Sequence, residues 1–322
     1  MNRRSFVRSL SAATAVGLFN APCRGEAEKR PPTASDGPPS RVVIVRRPGL
    51  SELTGKAKAD AYQAALSAAL SALGPDSSAH ALAGRRTVGL KLNCLAGRPL
   101  SPCQELAEAL ASLLRDSGAR EVTAWERSRR ELTRAGFGTG GAGFATTATD
   151  AVGYSRELFE QGAVGSLVSS ALLHTDALVS VGVIKDHDLS GISCSLKNLY
   201  GVIHNPNKYH GNNCDPYVAE VAMLAPVRER LCLTVLDGAV AQCHGGPSYK
   251  PAWAWNFDGV LVSRDPVAAD RIGHEMIEAR RAARGLPSLA EANRRPSWIE
   301  TAGRMGVGEH RRDAIEVREV TL

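Results

Sequence analysis

Short apolar runs alternate with longer segments whose apolar residues recur every three or four positions, from about residue 41 onward. The short runs have the length of strands, and the longer segments have the periodicity of amphipathic helices. The predicted strands cover residues 41–46, 86–92, 121–125, 177–183, 231–236 and 314–320. The predicted helices cover residues 54–73, 102–116 and 266–284, the last with Asp265 as its N-cap and Pro266 at its first position. This alternation predicts an α/β fold, a mostly parallel sheet with helices on both faces, built as one large lobe or two closely packed lobes.

The first residues of the chain have the pattern of a twin-arginine export signal. Arg3 and Arg4 precede an apolar run over residues 10–19, which is too short to span a bilayer, and Ala27 ends a sequence typical of signal-peptidase cleavage. The expected segments are a signal peptide at residues 1–27, a flexible leader at residues 28–40 and the α/β domain at residues 41–322. They predict contact with the twin-arginine export machinery, a periplasmic or otherwise exported location, and no stable membrane span.

Composition excludes some classes of protein. The 322 residues contain 39 Lys and Arg against 33 Asp and Glu, a net charge of +6, which is too small a surplus to predict nucleic-acid binding. A hydrophobic fraction of 43% and a charged fraction of 22% are typical of a folded globular chain. Six cysteines follow residue 27, and their even number permits disulfides in an oxidising compartment without indicating how they pair.

Candidate ligand-binding residues follow two of the predicted strands. Lys91 and Asn93 lie at the carboxyl end of the second strand, where ligands of open α/β sheets gather, although a surface lysine is an equally acceptable interpretation. Lys185 and His187 come directly after the buried fourth strand. Because strand ends of a parallel sheet meet at one edge, these side chains are candidates for a shared site.

The segment at residues 190–201 continues this polar region. We predict a short helix here, whose N-terminal amides would favour an anion and which contains Lys197 and Asn198. The alternative is an ordinary loop with solvated charges. Charged residues interleaved with Gly and Ser after a buried strand favour a binding role.

A third segment contains His204, His210, Cys214 and Asp215 within twelve residues. Nitrogen and sulfur donors of this kind are suitable for zinc or another transition metal. Their spacing matches no standard zinc pattern, so the alternative is that His210 and Asp215 brace a loop around a buried or disulfide-bonded Cys214.

Asp237 follows the fifth predicted strand, and Gly245 and Gly246 come soon after it. A carboxylate at a strand end could accept a proton, orient a lysine or bind a metal, and two glycines could bring backbone amides close to an anion. A tight turn that needs glycine for its backbone conformation explains the glycine pair equally well.

The order of these segments resembles the family called domain of unknown function 362, in particular its exported branch with a twin-arginine signal. The matching sequences are Lys-Leu-Asn ending at Asn93, Leu-Lys-Asn-Leu-Tyr-Gly ending at Gly201, Leu-Asp-Gly ending at Gly238, and Gly-Gly-Pro ending at Pro247. The family's activity is largely unassigned. Many relatives contain a ferredoxin-like module with iron–sulfur clusters, which this sequence lacks. The resemblance implies that cysteines beside the matched segments could form a dispersed metal or cluster site, and disulfides explain them equally well.

Together these residues form one hypothesis, a cleft for a small anionic molecule in an enzyme of unassigned reaction. The catalytic candidates are His187, His210, Lys197 and Asp237. The substrate-binding candidates are Lys91, Asn93, Lys185, Asn198, Gly245 and Gly246. The metal-binding candidates are His204, His210 and Cys214, for a metal ion or an iron–sulfur cluster as cofactor. The alternative function is non-catalytic binding of a small anion or a metal in the periplasm.

Overall fold

The computed structural model describes residues 39–74, 85–138 and 140–322. The predicted signal peptide at residues 1–27 and all but the last two residues of the predicted leader lie outside these ranges. Residues 39–322 form one compact unit. Within the described ranges, no helix combines the length and the apolarity that crossing a membrane requires.

The six predicted strands and the three helices predicted at residues 54–73, 102–116 and 266–284 are confirmed, with ends within two residues except that the strands predicted at 177–183 and 231–236 continue to residues 187 and 242. The strands are β1 (Ser40–Arg46), β2 (Thr87–Leu92), β3 (Glu121–Glu126), β4 (Gly140–Gly141), β5 (Phe144–Ala148), β6 (Phe159–Gln161), β7 (Val164–Ser166), β8 (Ala177–His187), β9 (Gly191–Ile192), β10 (Leu231–Gln242), β11 (Ala254–Trp255), β12 (Gly259–Ser263) and β13 (Ile315–Thr321). The α-helices are α1 (Gly55–Leu73), α2 (Gln104–Asp116), α3 (Arg129–Ala135), α4 (Thr149–Val152), α5 (Ser170–Leu173), α6 (Tyr217–Met223), α7 (Ala225–Arg228), α8 (Pro266–Ala283) and α9 (Trp298–Arg304). Short 3₁₀ helices cover Leu196–Val202, Pro206–Tyr209, Asn212–Cys214, Pro251–Trp253 and Arg312–Ala314.

The main sheet has the strand order β13-β1-β12-β10-β8-β2-β3-β5-β4. Strands β10, β8, β2, β3 and β5 are parallel to one another, and β13 is parallel to β1. Strand β12 is antiparallel to both of its neighbours, and β4 is antiparallel to β5. The prediction of a mostly parallel α/β sheet is therefore confirmed.

Two hydrophobic cores cover the two faces of this sheet. Because side chains alternate along a strand, Val43 and Val45 of β1 contribute to the core that contains buried residues of α1 and α2. Val42 and Ile44 contribute to the other core, which contains buried residues of α6, α8 and α9. Asp265 accepts the backbone N–H groups of residues 267 and 268, which confirms its role as the N-cap of α8.

The carboxyl ends of four neighbouring parallel strands, β10, β8, β2 and β3, lie along one edge of the sheet. The polar segments that follow these strands are therefore brought close together even though they are far apart in the sequence. The segment at residues 196–202 contacts both β2 and β8, so it lies at this same edge.

Candidate functional site

A small cavity of about 160 Å³ lies at the carboxyl ends of β2, β3 and β8. Several sequence-predicted residues are among those lining it. They are Asn93, His187, Lys197, Asn198 and His210. Lys91 and Lys185 are completely buried and donate to the lining residues Asn198 and Asn93, respectively. We call this cavity and its lining the cleft.

Lys197 and His210 form a hydrogen-bonded pair inside the cleft. Lys197 Nζ lies 3.2 Å from His210 Nε2, and His210 Nδ1 lies 3.1 Å from the carbonyl oxygen of Pro206. Because a carbonyl only accepts, Nδ1 holds the ring proton and Nε2 accepts from the ammonium group. The ammonium also lies 3.8 Å from the centre of the Tyr200 ring, a cation–π contact.

Burial changes the acidity of this pair. It lowers the pKa of Lys197 to about 8, mainly because the ammonium loses its hydration. Burial, followed by the nearby positive charge of Lys197, also lowers the pKa of His210. At neutral pH the lysine is therefore a cation beside a neutral imidazole, and only a small change in pH is needed to deprotonate it.

His187 lies next to this pair and is also neutral. Its ring is stacked with that of His210, with 6.0 Å between the ring centres and an angle of 25° between the planes. Its Nδ1 lies 3.1 Å from the backbone N of Leu189 and 3.1 Å from Asp188 Oδ1. In the tautomer that accepts the Leu189 N–H, the ring proton is on Nε2. Burial and then the charge of Lys197 lower the pKa of His187 to about 2. This histidine enters the cleft as a hydrogen-bond donor rather than as a cation.

Lys185 binds the cleft lining through Asn93. Its Nζ donates to Asn93 Oδ1 at 3.0 Å, and Asn93 Nδ2 donates to Ser193 Oγ at 3.2 Å. Complete burial lowers the pKa of Lys185 to about 8. The ammonium group of Lys185 is therefore one hydrogen bond away from the cleft lining, although Lys185 itself does not line the cleft.

Lys91 has a different environment, because a carboxylate neutralises it. Its ammonium forms a buried ion pair with Glu126 at the end of β3, and it also donates to Asn198 Oδ1 at 3.2 Å. Asn198 Nδ2 in turn donates to the carbonyl oxygen of Lys91 at 2.8 Å. Lys91 and Asn198 thus connect β2 to the 3₁₀ helix that follows Ser195.

Glu126 was missed in the sequence analysis, as were Arg127 and Glu131, which also line the cleft. Glu126 could have been identified by its position at the end of β3, because Lys91 and Lys185 likewise lie near the ends of the neighbouring strands β2 and β8. Arg127 Nη2 lies 3.2 Å from Glu131 Oε1, so this second carboxylate also has a cationic partner. Burial and then the charge of Glu126 raise the pKa of Glu131.

The charges in and under the cleft therefore do not cancel. Lys91 is paired with Glu126, and Arg127 is paired with Glu131. No carboxylate of the described residues lies within ion-pair distance of Lys185 or Lys197, which are both buried. Two buried positive charges thus remain without an anionic partner among the described residues.

The predicted anion site at the start of the segment 190–201 is occupied by the protein itself. The segment forms β9 and then a 3₁₀ helix, rather than one short helix from residue 190. The backbone N–H of Leu196 donates to Asp270 Oδ2 at 2.8 Å, and the N–H of Ser195 donates to Oδ1. Asp270 is completely buried, and loss of hydration raises its pKa to about 7. These amides face an internal carboxylate and not the cleft.

Asp237 and the glycine pair lie outside the cleft lining. Strand β10 continues past residue 236 to residue 242, so Asp237 is inside the strand, where its Oδ1 accepts from Tyr62 Oη and from the backbone N–H of Ala239, both at 2.9 Å. Gly246 donates its backbone N–H to Asp186 Oδ1 at 2.8 Å, and a Cβ there would lie 2.0 Å from the Asp186 carbonyl oxygen. Gly246 is therefore needed for close packing against β8. Gly245 has a φ of 77°, which favours glycine.

The predicted metal ligands are not brought together. His204 is exposed and makes an edge-on contact with Tyr154, with 5.0 Å between ring centres. Cys214 is buried, the Tyr200 hydroxyl donates to the carbonyl oxygen of Tyr209 at 2.6 Å, and His210 binds Lys197. Across the described ranges, no three His, Cys, Asp or Glu side chains are grouped as a metal site would require. The six described cysteines are free thiols, so none of the disulfides that the even count permits is formed.

Fold and site together define an α/β protein with a small cleft, lined by charged and polar side chains, at the strand ends of a mostly parallel sheet. The family model described as domain of unknown function (DUF362) matches residues 88–275, and the chain belongs to this family. The resemblance seen in the sequence is therefore confirmed at the level of the family. Its exported branch and the lack of a ferredoxin module stay predictions.

Two solved structures are similar to the chain over most of its length. The lactate racemase apoprotein from Thermoanaerobacterium thermosaccharolyticum shares 13% identity with a TM-score of 0.47, over 73% of this chain and 57% of that one. A structural-genomics protein from Thermotoga maritima shares 10% identity with a TM-score of 0.41, over 70% of this chain and 59% of that one. The matched part of this chain thus spans less than two thirds of either structure. A search among curated proteins gives no match.

Proposed function

We propose that the cleft binds a small anionic molecule with a carboxylate or phosphate group and that the protein is an enzyme acting on it. The proposal depends on one observation: Lys185 and Lys197 are buried cations without a carboxylate partner among the described residues. Burying a charge is costly unless it is paired. A bound anion would supply the missing partner, and Lys197 would contact it directly because it lines the cleft.

The groups around Lys197 support proton transfer to or from such a ligand. Lys197 has a pKa of about 8, close to the range in which a group can both give and take a proton at neutral pH. His210 Nε2 accepts a hydrogen bond from it and could take its proton. His187 could donate from Nε2 to a ligand atom. In this proposal Lys197 holds the anion, and the two histidines act as acid and base.

Binding can be tested with a thermal-shift screen against small carboxylates and phosphate esters. We expect ligands that raise the melting temperature of the wild-type protein and have no effect on Lys197→Ala. The matched control is Lys208→Ala, which removes the same charge from an exposed position outside the cleft lining. Identical shifts in wild type and Lys197→Ala would contradict the proposed site.

Each binding ligand should then be incubated with the protein and analysed for conversion. Turnover that is lost in His187→Gln and His210→Gln supports the enzyme. Saturable binding without turnover of any ligand would instead support the non-catalytic binding protein.

We also propose that the protein is exported by the twin-arginine route, on the basis of Arg3, Arg4 and the apolar run that follows them. Replacing both arginines with lysine should retain the protein in the cytoplasm, as measured by cell fractionation. Export of the double variant at the wild-type level would contradict this.

A further inference from the structure

Four side chains in the cleft lining each have one hydrogen that no described residue accepts. They are Asn93, His187, Ser193 and Lys197. Whether such a set of groups binds an anion depends on how each side chain is oriented. That orientation follows from the partners that each group already has.

Lys185 determines which way the Asn93 amide faces. An ammonium group has only donors, so Asn93 must present its Oδ1 to Lys185 and its Nδ2 to the other side. One Nδ2 hydrogen is donated to Ser193 Oγ, which leaves the second without a partner. Because Ser193 Oγ accepts this bond, its own hydroxyl hydrogen is free to be donated.

The side chains of His187 and Lys197 also have hydrogens for which the described residues offer no acceptor. In the tautomer of His187 that accepts the Leu189 N–H at Nδ1, the ring hydrogen is on Nε2, for which no described residue is an acceptor. Lys197 Nζ has three hydrogens, of which one is donated to His210 Nε2, and the ammonium group also lies over the Tyr200 ring, so at least one hydrogen is left. These four residues, which we call the donor wall, offer four hydrogens and no required acceptor.

Several of the acceptors that also line the cleft already have partners. Glu126 accepts from the ammonium of Lys91 and from the backbone N–H of Arg127, and Glu131 is paired with the Arg127 side chain. Asn198 Oδ1 accepts from Lys91. One oxygen of Glu126, one oxygen of Glu131 and the amide oxygen of Asn198 are therefore already bound to groups outside the donor wall.

From this arrangement we infer that the cleft recognises a phosphoryl or similar tetrahedral dianion in preference to a carboxylate, and that Lys185 is the positioning residue that makes this possible by orienting Asn93. The inference rests on the proposed function and names its substrate class. A phosphate monoester has three terminal oxygens for the four donors, whereas a carboxylate has two. Its charge of about −1.5 to −2 at pH 7 also matches the two unpaired lysines better than a single negative charge does.

The test compares methyl phosphate with acetate, and with malonate as a dianion of planar groups, by isothermal titration calorimetry. We expect methyl phosphate to bind wild-type protein at least about tenfold more tightly than either carboxylate, as charge-assisted hydrogen bonds to a third oxygen would give. Equal or tighter binding of acetate or malonate would overturn the inference, while leaving the proposed anion site intact if Lys197→Met abolishes that binding. Failure of all three anions to bind would overturn both.

Asn93→Asp tests the donor wall without removing a buried side chain. The new carboxylate can pair with Lys185, so we expect a folded protein by circular dichroism, but it removes a donor and adds a negative charge at the cleft. Methyl phosphate affinity should fall by about tenfold or more. The control is Asn256→Asp, which adds the same charge at an exposed position outside the lining and should change the affinity by less than about twofold. Unchanged affinity in Asn93→Asp would overturn the inference.

Lys185→Met tests the positioning role through selectivity. Without the ammonium group, the Asn93 amide is free to turn its oxygen toward the cleft. The ratio of methyl phosphate affinity to acetate affinity should therefore decrease, a change that a purely structural role for Lys185 does not predict. An unchanged ratio would overturn the positioning role.

Discussion

Buried lysines lie at two neighbouring places on the same edge of the sheet, and they differ in what neutralises them. At the ends of β2 and β3, Lys91 is paired with Glu126 and donates to Asn198. At the end of β8 and in the segment that follows, the described partners of Lys185 and Lys197 are all neutral: Asn93, His210 and the Tyr200 ring. The first place is complete within the folded chain, whereas the second lacks a negative charge.

This difference separates a structural role from a binding role for the same type of residue. Removing one partner of a buried ion pair strongly destabilises the fold, because the other charge is then left buried and uncompensated. A buried cation that is already uncompensated lowers stability and gains from any anion that reaches it. Removing the charge of Lys91 should therefore lower stability, whereas removing the charge of Lys197 should leave stability equal or higher and weaken anion binding.

The largest effect is expected for Lys91→Met, which leaves Glu126 buried without its partner. The free energy of unfolding should decrease by about 3–5 kcal/mol, as measured by urea denaturation at pH 7. A loss of less than about 1 kcal/mol, the range of exposed ion pairs, would show that Lys91 is not a compensated buried charge.

A smaller effect of opposite sign is expected for Lys197→Met. This variant keeps most of the side-chain volume and removes an uncompensated charge, so in the absence of ligand its free energy of unfolding should equal or exceed that of wild type, by up to roughly 1–2 kcal/mol. The same urea experiment without added anions tests this. Destabilisation as large as that of Lys91→Met would remove the distinction between the two places.

The pH dependence of stability sharpens the comparison further. The pKa of Lys197 is lowered from 10.5 to about 8 by burial, so above about pH 8 the folded state loses this proton before the unfolded state does. Stability should therefore increase as the pH rises from about 8 toward 10.5, and this contribution should be absent in Lys197→Met. Thermal unfolding over this pH range measures it, and identical profiles for the two proteins would contradict the assigned environment of Lys197.

The smallest effect is expected for Asp237→Asn. Asp237 binds Tyr62 away from the cleft, so anion affinity should change by less than about twofold even if stability decreases. Calorimetric titration of methyl phosphate into wild type and variant measures this. A tenfold loss of affinity would contradict the placement of Asp237 outside the anion-binding site.

The sequence was sufficient for six of the thirteen described strands, for three of the nine described α-helices and for the general location of the cleft. Apolar periodicity gave the strands, and the convergence of parallel strand ends explains why Asn93, His187 and Lys197 lie together. The sequence could not predict which residues bind the buried charges. Glu126 binds Lys91 and Asp270 binds the backbone of Ser195, and both contacts join residues that are too far apart in the chain for local patterns to indicate. It also could not fix strand ends. Since β10 continues to residue 242, Asp237 became part of the strand, with its side chain bound to Tyr62 of α1.

The most direct measurement is the titration of the Lys197 side chain itself, followed by nitrogen-detected NMR with and without methyl phosphate. Assignment comes from the signal that disappears in Lys197→Met. The account predicts a pKa of about 8 in the free protein and a clear increase when methyl phosphate is bound, because the anion stabilises the ammonium form. A pKa near 10.5 in the free protein, or a value that methyl phosphate does not change, would contradict it.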